Sequence, residues 1–268
     1  MTGISKGSAP FDVSNLRSEQ QDFVRLVEER SIRRGIHTDP ERLVYANEAL
    51  YQWCSRAPEH TLYVGVGHGF DALLALRANL TERITGVDPY IDSAGNDSAD
   101  YDHLLEMISE FDFEDRFVVE RVAIQEFLAD SVGAFDLIVC NDVLHHIFWT
   151  EERLTKSRYF SEAVDLFRSL RDVSSQDGAL VIADVERHGL RQLMSNVGIV
   201  DTSVVYRAKQ PREEWSRAAI EAGWIRAEQT NYVPWAFRNQ AWLWSGLLGR
   251  FTLCDKYLLN FRTTHQQR

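Results

Sequence analysis

Residues 61–76, TLYVGVGHGFDALLAL, constrain this 268-residue chain more than any other segment. An apolar strand runs there into three alternating glycines and straight on into a helical pattern. A strand through Leu62, Tyr63 and Val64 that ends in Gly65, Gly67 and Gly69 lets the backbone turn tightly and lets a ligand lie against bare main chain. The helix that follows begins near Phe70 and Asp71 and carries Leu73, Leu74 and Leu76. Its first N–H groups have no partner within the helix and point at whatever the glycines admit. About twenty residues on, at the spacing where an acid accepts hydrogen bonds from ribose hydroxyls, ITGVDPY reads as a second short strand ending in Asp88. Together these features imply a ligand that contains a nucleoside.

Two cofactor classes compete for such a turn, dinucleotides and S-adenosylmethionine. Counted from Gly65, the G-x-G-x-x-G fingerprint requires glycine where Phe70 stands. Counted from Gly67, the residues Gly67, Gly69 and Ala72 form the permitted G-x-G-x-x-A variant, which keeps a dinucleotide open.

A second segment bears on the choice. Residues 135–147, FDLIVCNDVLHHI, read as an apolar strand from Phe135 to Cys140, then Asn141, Asp142 and a pair of histidines on an opening helix. With the G-x-G-x-G loop after the first strand and Asp142-Val143-Leu144-His145-His146 after the fourth, the sequence resembles class I S-adenosylmethionine-dependent methyltransferases. The resemblance is close over roughly residues 61–184 and general elsewhere.

The resemblance implies roles residue by residue. Gly65, Val66, Gly67 and Gly69 would border the methionine and ribose of the cofactor, with His68 lining the same pocket. Asp88 would bind the ribose hydroxyls, with Pro89 and Tyr90 near the adenine. Ala123, Ile124 and Gln125 would close over the adenine, and Asn141 would approach the methionine end. The chain departs from the family at Tyr63, where an acid is common, and at Ala123 and Ile124, where an aspartate often holds the adenine amino group; Gln125 offers an acceptor instead.

Short apolar strands alternate with amphipathic helices through the central chain. Strands are predicted at Leu62–Val64, Ile84–Val87, Phe117–Val122, Phe135–Cys140 and Ala179–Ala183, with helices at Asp71–Leu80, Ala99–Phe111 and Tyr159–Val173. The alternation predicts an α/β fold, a Rossmann-like, mostly parallel sheet covered on both faces, with ligands beyond the carboxyl ends of its strands. A helix at Arg212–Ala222 precedes strands at Trp224–Glu228 and Lys256–Phe261. By analogy with the family these complete seven strands, the last antiparallel.

Residues 1–57 are expected to form an N-terminal helical cap, with helices over about 15–34 and from Pro40, where Asp39 serves as N-cap. Residues 58–268 form the nucleotide-binding domain. Within it, residues 231–254 hold Trp235, Phe237, Trp242, Trp244 and Phe251. If the sixth strand runs parallel to the first, this aromatic insertion is a candidate lid over the substrate entrance. Packing onto the N-terminal helices, or an interfacial helix on a membrane, are the competing readings.

Methyl transfer from a sulfonium is an in-line displacement in which the protein mainly aligns donor and acceptor. A hydroxyl acceptor also calls for a base, and an imidazole near neutral pH suits proton removal. Successive helix residues point about 100° apart, so one of the two histidines faces the cleft: His145 in this reading, with His146 turned away. Asp142 is an alternative base or an orienter of the histidine, and purely structural histidines remain open. Tyr232 and Trp235 are candidates for gripping the acceptor. No metal is expected, because adjacent rings on different faces suit no common ligand spacing.

The formal net charge of -11 disfavours nucleic acid as the main partner, since phosphate neutralisation needs a concentrated basic surface. No run approaches the roughly eighteen apolar residues of a membrane span, and the opening residues lack a signal-peptide core. The three cysteines, Cys54, Cys140 and Cys254, form no C-x-x-C pair and suit a reducing cytoplasm. The expected function is methylation of an oxygen or nitrogen of a small-molecule acceptor. A nicotinamide-dependent oxidoreductase and an inactive methyltransferase-like partner subunit are the alternatives. A homodimer is left open.

Overall fold

The computed structural model describes residues 40–54, 56–91, 96–131, 133–148, 156–185, 210–232 and 256–263, together with Phe23, Val27 and Glu29. In chain order the elements are α1 (Pro40–Tyr51), β1 (His60–Val64), α2 (Phe70–Arg77), β2 (Arg83–Val87), α3 (Ser98–Glu110), β3 (Phe117–Glu120), α4 (Ile124–Asp130), β4 (Phe135–Asn141), α5 (Leu144–Phe148), α6 (Lys156–Asp172), β5 (Ser174–Val185), α7 (Arg212–Glu221), β6 (Ile225–Tyr232) and β7 (Lys256–Arg262).

The seven strands form one sheet in the order β3-β2-β1-β4-β5-β7-β6. β1 pairs in parallel with both β2 and β4, and β4 with β5, whereas β7 runs antiparallel between β5 and β6. Successive crossovers from β1 move toward β3, and those from β4 move toward β5. The order therefore reverses between β1 and β4, and a crevice opens there beyond the carboxyl ends.

The central stretches of β1, β4 and β5 are apolar because both faces are covered. Tyr63, Leu137, Val139, Ala179 and Val181 join one core with residues of α1, α2 and α3. Their neighbours Leu62, Val64, Ile138, Cys140, Leu180 and Ile182 join the other with residues of α4, α5, α6 and α7. Alternate strand residues point to opposite faces, so a doubly covered strand reads as a continuous apolar run. Each fully buried leucine here, such as Leu62 or Leu73, contributes about 1.5–3 kcal/mol.

α3 shows how local sequence starts an element. Asp97 accepts hydrogen bonds from the N–H groups of Ala99 (2.7 Å) and Asp100 (3.0 Å), and the Asp100 carboxylate accepts from Asp97 N–H (3.0 Å), a reciprocal capping box.

Of the N-terminal helix expected over 15–34, Phe23, Val27 and Glu29 are described, and all are helical. Phe23 and Val27 are buried in the same core as Tyr51 and Tyr63, with the Phe23 ring 4.6 Å from that of Phe111. Asp39, Trp235 and the rest of residues 233–255 lie outside the described residues.

Several boundaries differ from the sequence-based expectation. β5 starts earlier, at Ser174, and β3 ends at Glu120. β6 continues to Tyr232, so Asn231 and Tyr232 belong to the strand and not to the insertion. Pairing with β7, from Ile225–Arg262 to Tyr232–Lys256 with one register shift between Arg226 and Glu228, overrides the polar sequence of β6. Among the described residues no helix is long and apolar enough to cross a membrane.

Candidate active site

At the end of β1 the chain turns through Gly65, Gly67 and Gly69, with φ of +69°, +54° and +71°. The Gly65 N–H donates to Val87 O (2.8 Å), tying the turn to the end of β2. The three glycines serve different ends. A Cβ on Gly65 would lie 2.1 Å from Val143 Cγ2, and one on Gly69 would lie 2.3 Å from Leu104 Cδ1, so neither position has room for a side chain. At Gly67 the nearest atom would be Asn96 Nδ2 at 3.4 Å, an ordinary van der Waals contact, so a Cβ would fit there without a clash.

Asp88 is buried at the end of β2 and is engaged by its own chain. Its Oδ2 accepts from Gly67 N–H (3.0 Å) and from Asn96 Nδ2 (3.2 Å), and its Oδ1 accepts from Tyr90 N–H (2.9 Å). The Tyr90 hydroxyl donates to Gly67 O (2.6 Å), so Asp88 and Tyr90 clasp Gly67 through both its N–H and its carbonyl. A carboxylate has about four acceptor positions, and three are used here. Tyr90 is itself buried, its ring 5.2 Å from that of Tyr101, and burial followed by the Asp88 charge pushes its phenol far up. Pro89 beside it is half-buried.

At the end of β4 a polar chain links three elements. Asn141 Nδ2 donates to Asp71 Oδ2 in the first turn of α2 (2.8 Å), and Lys256 Nζ, at the start of β7, donates to Asn141 Oδ1 (2.8 Å) and Asp142 Oδ2 (2.6 Å). Asp142 has φ of +53°, and its N–H donates to Ala183 O (2.8 Å). Beneath this chain the hydroxyls of Tyr51 and Tyr63 meet at 3.1 Å, fully inside the protein. Burial, then Tyr51, then the Asp71 carboxylate hold the Tyr63 phenol well above its usual range. The Asp71 carboxylate, from the next element, thus acts electrostatically on Tyr63.

The paired histidines open α5. His145 is buried, and its Nδ1 lies 3.2 Å from Oδ1 of Asp184, a residue buried near the end of β5. His146 is exposed. The expectation that the two rings lie on different faces needs correction: their centroids are 4.1 Å apart. α5 spans only Leu144–Phe148, and at this short helix the two rings tilt together although their burial differs.

The remaining sequence candidates are more scattered. Val66 is a core residue, and His68 stacks on Phe70 at 5.6 Å with its Nδ1 3.4 Å from Asp100, an electrostatic contact longer than a good hydrogen bond. Ile124 belongs to the core beneath α4, whereas Gln125 is exposed and borders a cleft of about 600 Å³ between α4, α5 and α6, with Ile147 and Glu162. Tyr232 closes β6, opposite Lys256. Tyr232 and Lys256, which flank residues 233–255 in the sequence, therefore both lie at the carboxyl edge.

A dinucleotide-binding sheet runs 3-2-1-4-5-6, all parallel, whereas here an antiparallel β7 enters between β5 and β6. Solved structures share this architecture. The cyclase SpnF is 15% identical, with 96% of this chain and 97% of that one covered at a TM-score of 0.55. The N-methyltransferase NodS from Bradyrhizobium japonicum, in complex with S-adenosylhomocysteine, is 14% identical over 94% and 98% at 0.52. Geranyl diphosphate C-methyltransferase from Streptomyces coelicolor, also with S-adenosylhomocysteine, is 14% identical over 85% and 82% at 0.54. The chain has the class I methyltransferase fold. No protein-family model and no curated protein matches its sequence. The methyltransferase fold also carries a cyclase, so fold alone leaves the reaction open.

Within the methyltransferase fold, sequence reasoning missed Asp71, Lys256 and Asp184. Asp71 had a local signal, an acid two residues beyond Gly69 in the first helical turn. Lys256 and Asp184 had none, because each meets its partner only through strand pairing: Lys256 faces Val185, and Asp184 faces Tyr257.

Proposed function

We propose that this protein transfers a methyl group from S-adenosylmethionine to an oxygen or nitrogen of a small molecule. The observation that carries this reading is the clasped glycine turn at the strand-order reversal, where Gly67 leaves free the space a Cβ would fill. The donor set suits the cofactor. Backbone from Gly65 to Gly69, with Val66 and His68, borders its middle; the unused acceptor position of Asp88 is available to ribose; Pro89, Ile124 and Gln125 are assigned to the adenine side. Asn141 and Asp71 stand at the methionine end, where a carboxylate complements an ammonium and a sulfonium. When bound, the cofactor supplies an electrophilic methyl carbon on a good leaving group.

What falls to this chain is alignment and proton handling. Asn141 is fixed from both sides by Asp71 and Lys256, which orients its amide without further ordering on binding. His145 and His146, with Asp142, are assigned to proton transfer, and Tyr232 and Trp235 to the acceptor. The net charge of -11 supports a small acceptor over nucleic acid. Three scattered cysteines support a reducing, cytoplasmic setting.

Calorimetry with S-adenosylhomocysteine tests the reading. Saturable binding is expected, with Asp88→Ala weakening it on the order of 1.5–3 kcal/mol, and with His145→Ala leaving binding intact while slowing turnover. Saturation by a nicotinamide dinucleotide instead would favour an oxidoreductase. No binding of either at millimolar concentration would favour a non-catalytic partner subunit.

A further inference from the structure

We infer that Asn96 competes with the ribose of the cofactor for Asp88: its side-chain amide holds the place against Asp88 and Gly67 that a ribose hydroxyl takes, and it turns aside for the nucleoside to bind. This rests on the methyl-transfer reading above and adds to it a residue that sets how tightly the cofactor is held.

Asp88 is 4% exposed, so its oxygens need donors from within the protein. Three reach it. Gly67 N–H at 3.0 Å and Asn96 Nδ2 at 3.2 Å donate to Oδ2, and Tyr90 N–H at 2.9 Å donates to Oδ1. Two of the three are backbone groups, fixed by the glycine turn and by the chain just past β2. Asn96 is the donor carried on a side chain, and its contact is the longest. A nucleoside presents neighbouring hydroxyls on the 2′ and 3′ carbons. With about four acceptor positions on a carboxylate, one is left on Asp88 for the first hydroxyl. The second finds a place on the carboxylate only where Asn96 donates.

The same amide also stands at Gly67. From a Cβ placed on that residue, Asn96 Nδ2, Oδ1 and Cγ would lie 3.4, 3.8 and 3.9 Å away. They border the face of the glycine that a ligand would use, and a ring as broad as ribose laid on that face meets them. Gly67 does not give way, because Asp88 takes its N–H and the Tyr90 hydroxyl holds its carbonyl. The movable partner is Asn96.

Its backbone is fixed where the chain enters α3. The next residue, Asp97, is the N-cap whose carboxylate takes the N–H groups of Ala99 and Asp100 and whose own N–H goes to Asp100. The Asn96 side chain is half-buried, so a change of rotamer carries the amide from Asp88 into solvent while the cap stays formed. A hydroxyl arriving at Oδ2 then replaces one donor by another and keeps the buried carboxylate satisfied. A group without a donor leaves that oxygen short of a partner, so the exchange selects for a hydroxylated sugar.

Calorimetry with S-adenosylhomocysteine on the full chain and on Asn96→Ala provides the test. Removing the competing amide should tighten binding by about 3- to 10-fold, the effect of releasing one hydrogen bond that holds the site closed. Unchanged affinity would overturn the inference. Weaker binding would overturn it too, marking Asn96 as a direct contact to the sugar. NMR of the wild type supplies a second readout that needs no variant, with the Asn96 side-chain amide assigned through bonds from its backbone. At saturation with S-adenosylhomocysteine its amide protons should exchange with water faster than before. If Asn96→Ala fails to fold, this exchange decides, and an amide that stays protected overturns the inference. Absence of binding by the wild type overturns the methyl-transfer reading and this inference with it, whereas wild-type binding that the variant does not tighten overturns the role of Asn96 alone.

Discussion

Lys256 Nζ lies 2.6 Å from Asp142 Oδ2, joining the first residue of β7 to the residue just past β4 across 114 positions of sequence. The contact is partly buried on the lysine side and more open on the aspartate side, at 15% and 44% exposure. It also braces a backbone at φ of +53°, a conformation disfavoured for residues with a Cβ. A double-mutant cycle of Lys256→Met and Asp142→Asn, read by urea denaturation, should return a coupling energy of about 1 kcal/mol, discounted for the exposure of Asp142. A coupling near zero would mean that strand pairing alone holds the β4–β7 junction.

The glycines of the turn should separate in mutagenesis. Gly65→Ala combines a left-handed backbone with a Cβ 2.1 Å from Val143 Cγ2, which should cost on the order of 2–4 kcal/mol of stability. Gly67→Ala has the backbone penalty and no clash, so about 1 kcal/mol is expected. Adding Val143→Ala should recover part of the loss at Gly65 and none at Gly67. Equal losses at the two positions, measured as urea midpoints at constant slope, would contradict this division.

His60 makes stability depend on pH. Its half-buried ring stands 4.4 Å from that of Phe135, with Nε2 2.9 Å from Thr85 Oγ1. Burial first, then the charge of Arg83, lowers its pKa to about 4, with Asp136 opposing. The unfolded chain, with histidine near 6.5, takes up the proton first as pH falls. His60 therefore contributes stability that is full above about 6.5 and is lost on acidification toward 4. Screening at a half-buried ring limits the effect to on the order of 1 kcal/mol. Denaturation at pH 7 and pH 4.5 should show a larger drop for the wild type than for His60→Gln; equal drops would remove His60 from the account.

Cys54 should be a slow thiol. Burial, against the opposing pull of Arg262, raises its pKa from 9.0 to about 11. Because the thiolate is the nucleophile, alkylation by iodoacetamide at pH 8 should run roughly 100-fold below that of an unperturbed thiol and recover in urea. Peptide mapping after a timed pulse reads this site separately from Cys140 and Cys254. Rapid labelling of the folded protein would show that the α1–β1 junction opens readily.

Much of the site's framework was legible in the sequence for local reasons. The alternation of apolar runs with 3.6-residue patterns marks a doubly covered parallel sheet, and Gly65 to Gly69 after β1 mark its carboxyl edge, because turn geometry depends on neighbours in the chain. The roles within that turn were less legible. Asp88 reads as a ligand contact by spacing, yet three of its acceptor positions hold Gly67, Tyr90 and Asn96, since burial obliges a carboxylate to find partners in its own chain.

The sequence by itself determined which segments become strands and helices and where the chain must bend, because those choices rest on propensity, periodicity and glycine chemistry within a few residues. Tertiary structure alone decided that Asp184 meets His145 and that Lys256 reaches Asn141 and Asp142. Those contacts depend on strand order and register, and register is set by the summed packing of two covered faces, so no local pattern around any one of these residues encodes it.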